Sequence, residues 1–167
     1  CQWASYKGAT VIGTVGNDEK AEYALAHGCA HPIVYTREDF VEQVSEITNG
    51  KGVDVVYDAV GRDTFEKGLS CISERGRMVS YGVASGPIEP VDLRVLRSRS
   101  ASIACGGLGS FIKDPAERGA NADELFSLIA DGTLKVEINQ RYALCDVADA
   151  HRELASRKTI GSSILTI

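Results

Sequence analysis

Short apolar runs alternate with amphipathic stretches along most of the chain. Val11–Val15 is rich in β-branched residues, and Asp54–Val60 is an apolar run of the kind found in strands buried on both faces. Between these runs, Lys20–His27 and Phe40–Ile47 carry apolar residues at helical spacing, and a glycine follows each segment. The pattern predicts strand–helix repeats, with Thr36 as the N-cap of the second helix.

Further segments extend the same alternation. The additional predicted elements are the strands Pro32–Tyr35, Arg77–Gly82 and Ile103–Cys105, and a helical stripe formed by Phe65, Leu69 and Ile72. Strands and helices that alternate in this way predict an α/β fold with a doubly wound parallel sheet. Such sheets bind ligands at the carboxyl ends of their strands. In this chain those ends lie at Gly16, Tyr35, Val60–Gly61 and Tyr81–Gly82.

The regular alternation of strand and helix patterns ends after Gly109. Apolar residues from Ala122 to Ile129 predict a long amphipathic helix, and Leu134–Ile138 alternates as a half-exposed strand would. Asp146 is expected to cap a further helix, and Gly161–Ile167 is expected to end the chain as a strand. We therefore predict two units, a sheet domain over residues 1–109 and an α+β segment over residues 110–167.

Composition narrows the possible functions of these 167 residues. The net charge of -5 argues against a nucleic-acid-binding surface, which needs a basic stripe. No apolar run is long enough for a membrane span, and no secretion leader is recognisable, so a cytoplasmic location is expected. The five cysteines are widely spaced and form no C-x-x-C pair, and the three histidines have no metal-ligand spacing. We expect no metal site, and cysteines that act as small buried hydrophobes.

Four stretches together carry a family resemblance: Gly8–Gly16, Gly52–Gly61, Arg75–Gly82 and Val136–Tyr142. By their order and spacing, the chain resembles the zinc-free, zeta-crystallin-like NADPH:quinone oxidoreductases of the medium-chain dehydrogenase/reductase superfamily over nearly its whole length. The resemblance implies hydride transfer from NADPH to a small electron acceptor, a quinone or an α,β-unsaturated carbonyl. It also implies a C-terminal fragment that lacks the first sheet strand, its glycine-rich turn and a catalytic domain, and that is inactive alone.

The end of the first strand indicates which cofactor is expected. Proteins that bind NAD usually place Asp or Glu there to accept from the ribose, whereas this chain has Gly16 and Asn17. Asp18 is the rival, either as a ribose ligand or as a helix cap. Lys20 lies in the first helical turn, where a cation opposes the helix dipole unless a phosphate is bound, although a solvated surface lysine is an equal alternative. The resemblance implies that Lys20 and Tyr35 hold the 2′-phosphate, whereas Tyr35 could instead pack against the next helix.

Other predicted cofactor contacts lie at later strand ends. Glycine lets a backbone approach a ligand closely, which favours a cofactor contact at Val60 and Gly61. The resemblance implies that a second stretch runs beside the nicotinamide and orients it through backbone groups; its residues are Tyr81, Gly82, Val83 and Ala84. Gly82 could equally be a plain turn glycine. Arg157 matches a family position near the cofactor.

The chain departs from the family at one strand end. Cys105–Gly107 stands where relatives often carry a Thr-Arg-Pro-like turn, which removes an arginine and puts contacts at this edge in doubt. We read Gly106–Gly109 as a flexible connection with no clear helix after it. The strand near Ile103 pairs across a dimer in relatives, so the resemblance implies a homodimer. No catalytic acid is identifiable in this chain.

Three alternatives remain open at the level of the sequence. The first is another reductase of the same fold, such as an enoyl reductase, and the second is a non-catalytic fragment that serves only for dimerisation. The third is a Rossmann-like methyltransferase, which would normally carry a carboxylate at the end of the strand that holds Val15. Gly16 argues against this third alternative.

Overall fold

A computed structural model describes all 167 residues. The helices are α1 (Gln2–Tyr6), α2 (Asp18–Ala26), α3 (Phe40–Ile47), α4 (Phe65–Ser70), α5 (Arg94–Arg97), α6 (Leu108–Phe111), α7 (Pro115–Ala130) and α8 (Val147–Ala155). The strands are β1 (Ile12–Val15), β2 (His31–Val34), β3 (Val53–Asp58), β4 (Ile72–Ser80), β5 (Ser102–Cys105), β6 (Ile138–Ala143) and β7 (Ser162–Thr166). A 3-10 turn, Leu144–Asp146, precedes α8.

All strand pairing is parallel, which confirms the predicted α/β class. β1 pairs with β2, β3–β4–β5 form a second sheet, and β6 pairs with β7. In the first sheet Val15 lies opposite Val34, so both strands end at the same rim. In the second sheet Asp58 lies opposite Ser80, which in turn lies opposite Cys105. β1 and β3 each keep one edge that no strand of the chain occupies.

The first two sheets share one apolar core, although no hydrogen bond joins them. Its buried centre consists of Ile33, Val44 and Cys71, and partly buried residues from both sheets and α3 surround it: Ile12, Phe40, Val41, Ile47, Val53 and Val56. A second cluster of Phe65, Ile72 and Met78 lies between α4 and the β3–β4–β5 sheet. The amphipathic pattern of α3 thus joins the two sheets through its apolar face.

The N-cap predicted for α3 is wrong. Asp39 caps this helix, because its carboxylate accepts a hydrogen bond from the Val41 N–H at 2.8 Å. Thr36 lies in the preceding turn, and its hydroxyl donates to the Gly16 carbonyl at 3.1 Å. The polar side chain directly before the first apolar helical residue therefore takes the cap position, as helix capping favours.

Two other predicted elements differ from the structure. β3 is buried on one face only, since Tyr57 is 73% exposed and Val55 is 43% exposed on the other. The Tyr81 ring lies edge-on to Tyr57 on that second face, with 6.4 Å between the ring centroids, and both side chains remain largely exposed. The apolar run alone could not reveal this exposure. Ile72 is buried in β4 and does not belong to helix α4, which ends at Ser70.

Boundaries after β5 also shift. A one-turn helix, α6, follows Gly107, which corrects the expectation that no helix follows the glycine-rich stretch. The strand predicted over Leu134–Ile138 is β6, which begins only at Ile138, because Leu134 is buried and donates its N–H to the Leu128 carbonyl. The long helix is confirmed as α7, with Asp114 as its N-cap. No helix has the length and apolar character that crossing a membrane requires.

Candidate cofactor-binding site

The rim of the β1–β2 sheet brings several predicted site residues together. Gly16 and Asn17 follow β1, and the Asn17 side chain caps α2 by accepting from the Lys20 N–H at 2.9 Å. Tyr35 follows β2, and its hydroxyl oxygen lies 3.4 Å from the position that a Cβ at Gly16 would take. Gly16 and the Tyr35 side chain are therefore direct neighbours at this rim.

Asp18, the residue considered as a ribose ligand or helix cap, has a different partner. Its two carboxylate oxygens lie 2.6 and 2.8 Å from two nitrogens of the Arg37 guanidinium. This hydrogen bond lowers the pKa of Asp18 below its ordinary value. The helix cap is Asn17, so the cap assignment for Asp18 is wrong, and its charge is neutralised by Arg37 at this rim.

Lys20 and Arg157 meet although 137 positions separate them. Lys20 is partly buried as a residue, and its ammonium donates to the main-chain carbonyl of Arg157 at 2.5 Å. Arg157 follows the C-cap residue of α8 and has a left-handed backbone conformation, with φ of 59°. The lysine therefore has a partner in the free protein, and that partner is a backbone group of another predicted site residue.

Asp58, at the carboxyl end of β3, organises the second rim. One oxygen of this buried carboxylate accepts from the Val60 N–H at 2.8 Å, the Gly61 N–H at 3.2 Å and the Thr64 hydroxyl at 2.8 Å. Its other oxygen has no hydrogen-bond partner. Asp58 fixes the turn in which two predicted site residues, Val60 and Gly61, lie.

The chain crosses closely over itself at this second rim. A Cβ at Gly82 would lie 2.6 Å from the Ala59 carbonyl oxygen, and a Cβ at Gly61 would lie 2.8 Å from the Gly86 carbonyl oxygen. Gly61 also has a φ of 87°, which favours glycine. Gly82 is therefore more than a plain turn residue, because the close contact with the Ala59 backbone requires glycine at this position.

Some backbone N–H groups at this rim have an acceptor within the protein and others do not. The Tyr81 N–H donates to the Asp58 carbonyl at 3.0 Å, and the Ala84 N–H donates to the Ala59 carbonyl at 3.2 Å. The N–H groups of Gly82 and Val83, which lie between them, have no acceptor in the protein. Two adjacent main-chain donors thus remain available at the end of β4.

The predicted site residues therefore fall into two groups. Gly16, Asn17, Lys20, Tyr35 and Arg157 lie together at the β1–β2 rim, and Val60, Gly61, Tyr81, Gly82, Val83 and Ala84 lie together at the β3–β4 rim. Each group stands at the carboxyl ends of parallel strands, where α/β sheets bind ligands. The shared core of the two sheets holds the groups within one structure.

A cavity of about 480 Å³ opens beside the first group. Val15, Lys20 and His27 line it from one side, while Glu137 and Gly161 line it from the C-terminal segment. The Nε2 atom of His27 lies 3.3 Å from a carboxylate oxygen of Glu137, and both residues line the cavity. The cavity therefore lies between α2 and residues near the end of the chain.

Two residues that shape the site are not among those predicted from the sequence. Asp58 belongs to a predicted apolar strand, and the signal that could identify it is a carboxylate directly before a glycine-bearing turn. Arg37 has no such signal, because its pairing with Asp18 depends on the neighbouring turns of two parallel strands.

The cysteines agree only in part with expectation. Cys29 and Cys71 are buried, as predicted, whereas Cys1, Cys105 and Cys145 are exposed. Burial raises the pKa of the Cys71 thiol to about 11, so this thiol stays protonated at neutral pH. No group of three or more His, Cys, Asp or Glu side chains in the chain could hold a metal ion.

Known proteins resemble the chain over almost its full length. A sequence model of the zinc-binding dehydrogenase family matches residues 1–127. A quinone oxidoreductase of Pseudomonas aeruginosa is 47% identical over 99% of the chain and 51% of its own length. The 2-haloacrylate reductase of a Burkholderia species is 42% identical over 98% of the chain and 50% of its own length.

A solved structure gives the same result. The crystal structure of Escherichia coli quinone oxidoreductase complexed with NADPH matches with a TM-score of 0.94 and 46% identity, over 100% of the chain and 52% of that protein. The chain thus spans about half the length of the relatives that it matches. Both the sequence match and the parallel α/β architecture show that the chain belongs to the zinc-binding dehydrogenase family.

Proposed function

We propose that the chain forms the NADPH-binding part of an oxidoreductase that reduces a quinone or an α,β-unsaturated carbonyl. The observation that carries this proposal is the partly buried Lys20 at the β1–β2 rim, beside Gly16 and with the neighbouring Asp18 paired to Arg37. Bound NADPH would supply the hydride, and the protein would supply position and electrostatics.

The β1–β2 rim fits the 2′-phosphate of NADPH. Gly16 carries no charge, and Arg37 pairs with Asp18, which reduces the repulsion that a phosphate meets there. The N-terminus of the nine-residue helix α2 favours an anion, and Lys20 lies in its first turn. We assign Lys20, Tyr35 and Arg157 to the phosphate, with Gly16 and Asn17 beside the ribose.

The β3–β4 rim fits the nicotinamide end of the cofactor. The unpaired N–H groups of Gly82 and Val83 can donate to a carboxamide oxygen, and Gly61 lets the backbone come close. Asp58 holds the turn at Val60 and Gly61 in place through its accepted hydrogen bonds. We assign Val60, Gly61 and residues 81–84 to this part of the site.

The remaining assignments concern the whole protein. We propose that residues 1–109 are the cofactor-binding domain and that residues 110–167 belong to a second, catalytic domain. We further propose a cytoplasmic, zinc-independent homodimer; the unpaired outer edge of β5 is free to pair with a second copy. A 2-haloacrylate reductase among the relatives supports an α,β-unsaturated acceptor as the alternative to a quinone.

Substitution of Lys20 tests the phosphate assignment. Lys20→Met in the protein made from the complete gene is expected to weaken NADPH binding by about tenfold or more, because a charge-assisted contact is lost. NADH binding is expected to change far less, since NADH lacks the 2′-phosphate. Titration calorimetry with each cofactor measures both dissociation constants.

Lys51→Met serves as the matched control, because Lys51 is exposed and lies away from both rims. It is expected to leave the NADPH-to-NADH ratio unchanged. Equal losses of affinity for both cofactors in Lys20→Met would contradict the phosphate assignment.

The acceptor requires a separate test. Activity measured with a panel of quinone, enone and enoyl-thioester acceptors separates a quinone reductase from an enoyl reductase.

A further inference from the structure

The contact between Lys20 and Arg157 solves an electrostatic problem within the fold. Lys20 stands in the first turn of α2, where the helix dipole disfavours a cation. Its ammonium nonetheless lies 2.5 Å from the Arg157 carbonyl oxygen. A single main-chain oxygen from the far end of the sequence thus provides the acceptor that the lysine lacks within its own helix.

The direction of that carbonyl depends on how α8 ends. Arg157 leaves the helix in the left-handed conformation, and its N–H donates to the Leu154 carbonyl at 3.1 Å. The last carbonyls of a helix form the negative end of its dipole. The C-terminal turn of α8 therefore presents a region of negative potential to Lys20.

We infer that the main chain of Arg157 is a positioning element that holds the Lys20 ammonium at the rim where the 2′-phosphate binds. An ammonium has three N–H donors, so one can remain on the carbonyl while two face phosphate oxygens. This inference rests on the proposed NADPH function. It differs from a contact by the Arg157 guanidinium, because the backbone oxygen acts through Lys20.

Selectivity between NADPH and NADH is then coupled to the C-terminal segment. The lysine is supplied by the sheet domain, but its orientation is set by a turn 137 positions later. A flexible lysine loses rotamer entropy when it binds a phosphate, and a lysine whose ammonium is already hydrogen-bonded loses less. Removing the hydrogen bond to the Arg157 carbonyl should therefore weaken NADPH binding more than NADH binding.

Two variants at one position separate the backbone from the side chain. Arg157→Asn removes the guanidinium but keeps a residue that tolerates the left-handed conformation. Arg157→Val also removes the guanidinium, and its β-branched side chain disfavours that conformation. The comparison of Asn with Val therefore isolates the direction of the carbonyl.

We expect Arg157→Val to bind NADPH about fivefold more weakly than Arg157→Asn, with NADH binding the same in both. In the free protein, reductive methylation of Lys20 is expected to be faster in the Val variant than in the Asn variant, because the ammonium is released. If Arg157→Val does not fold, Arg157→Ala, which disfavours the conformation less, provides the same comparison.

A double substitution completes the test. In a Lys20→Met background, the Asn and Val variants should bind NADPH equally, since no ammonium remains to be positioned. Equal NADPH binding by Arg157→Asn and Arg157→Val with Lys20 present would overturn the positioning role. If Lys20→Met itself does not alter the NADPH-to-NADH ratio, the proposed phosphate site fails instead, and the two failures are distinguishable.

Discussion

At the scale of single residues, the site depends on atoms that are absent as much as on atoms that are present. Gly82 passes the Ala59 backbone so closely that any side chain would overlap it. The sequence indicated a glycine at a strand end, but it could not distinguish a plain turn from a close crossing. That distinction depends on the distance between two loops, which is a tertiary property.

Gly82→Ala is expected to lower the free energy of unfolding by about 2 kcal/mol, because a backbone oxygen must move to admit the Cβ. The same shift should weaken NADPH and NADH alike, since it disturbs the nicotinamide rim and not the phosphate rim. Urea unfolding and cofactor titration measure the two effects. Gly109→Ala is the control, because a Cβ at Gly109 meets nothing within 4 Å; similar stability losses in both variants would contradict the close crossing.

At the scale of elements, hydrophobic periodicity predicted most strands and helices before Gly109, although β4 begins at Ile72 and not at the predicted Arg77. Errors arose where a polar residue had two possible roles, as at Thr36, or where an apolar residue packed outside a regular element, as at Leu134. Periodicity specifies which face of a segment is apolar, but the partner that covers this face lies elsewhere in the chain.

The capping of α3 offers a test at this scale. Asp39→Ala is expected to lower the melting temperature by about 3 °C, whereas Asp39→Asn should retain most of the cap. The Lys67 ammonium, 2.9 Å away, and the Val41 N–H lower the pKa of Asp39. The stabilisation is therefore present above the ordinary pKa of an aspartate and is lost as the pH falls below it.

Differential scanning calorimetry across neutral and acidic pH checks this expectation. The difference in melting temperature between wild type and Asp39→Ala should narrow at acidic pH. Protonation of Asp39 removes the negative charge that accepts from the Val41 N–H and pairs with Lys67. Thr36→Ala provides the comparison for the cap predicted from sequence. A larger loss in Thr36→Ala than in Asp39→Ala would argue against Asp39 as the cap.

At the scale of the whole molecule, the chain exposes an unusually large surface. Its accessible area is 11397 Å², whereas a compact protein of 17.9 kDa exposes about 8,000 Å². The exposed residues include many large apolar side chains, among them Val55 and Tyr57 on the open face of β3. The sequence could not predict this excess accessible area, because an apolar strand has the same sequence pattern whether or not another surface covers it.

The isolated 167-residue chain is therefore expected to self-associate across the micromolar range, since exposed apolar faces and open strand edges drive contact. Sedimentation velocity at several concentrations measures this. Val55→Lys, on the open face of β3, should reduce association, and Ser45→Lys, on the exposed side of α3, should not. A chain that stays monomeric at every concentration would show that the large surface is well solvated.

The contact between Gly16 and Tyr35 has a consequence for protein engineering. A designer who wishes to convert the protein to NADH would place an acid at Gly16, where the Tyr35 hydroxyl oxygen lies 3.4 Å from the new Cβ. The carboxyl group and the phenol would then be direct neighbours. Reversal of cofactor preference is thus expected to need a change at Tyr35 together with the change at Gly16.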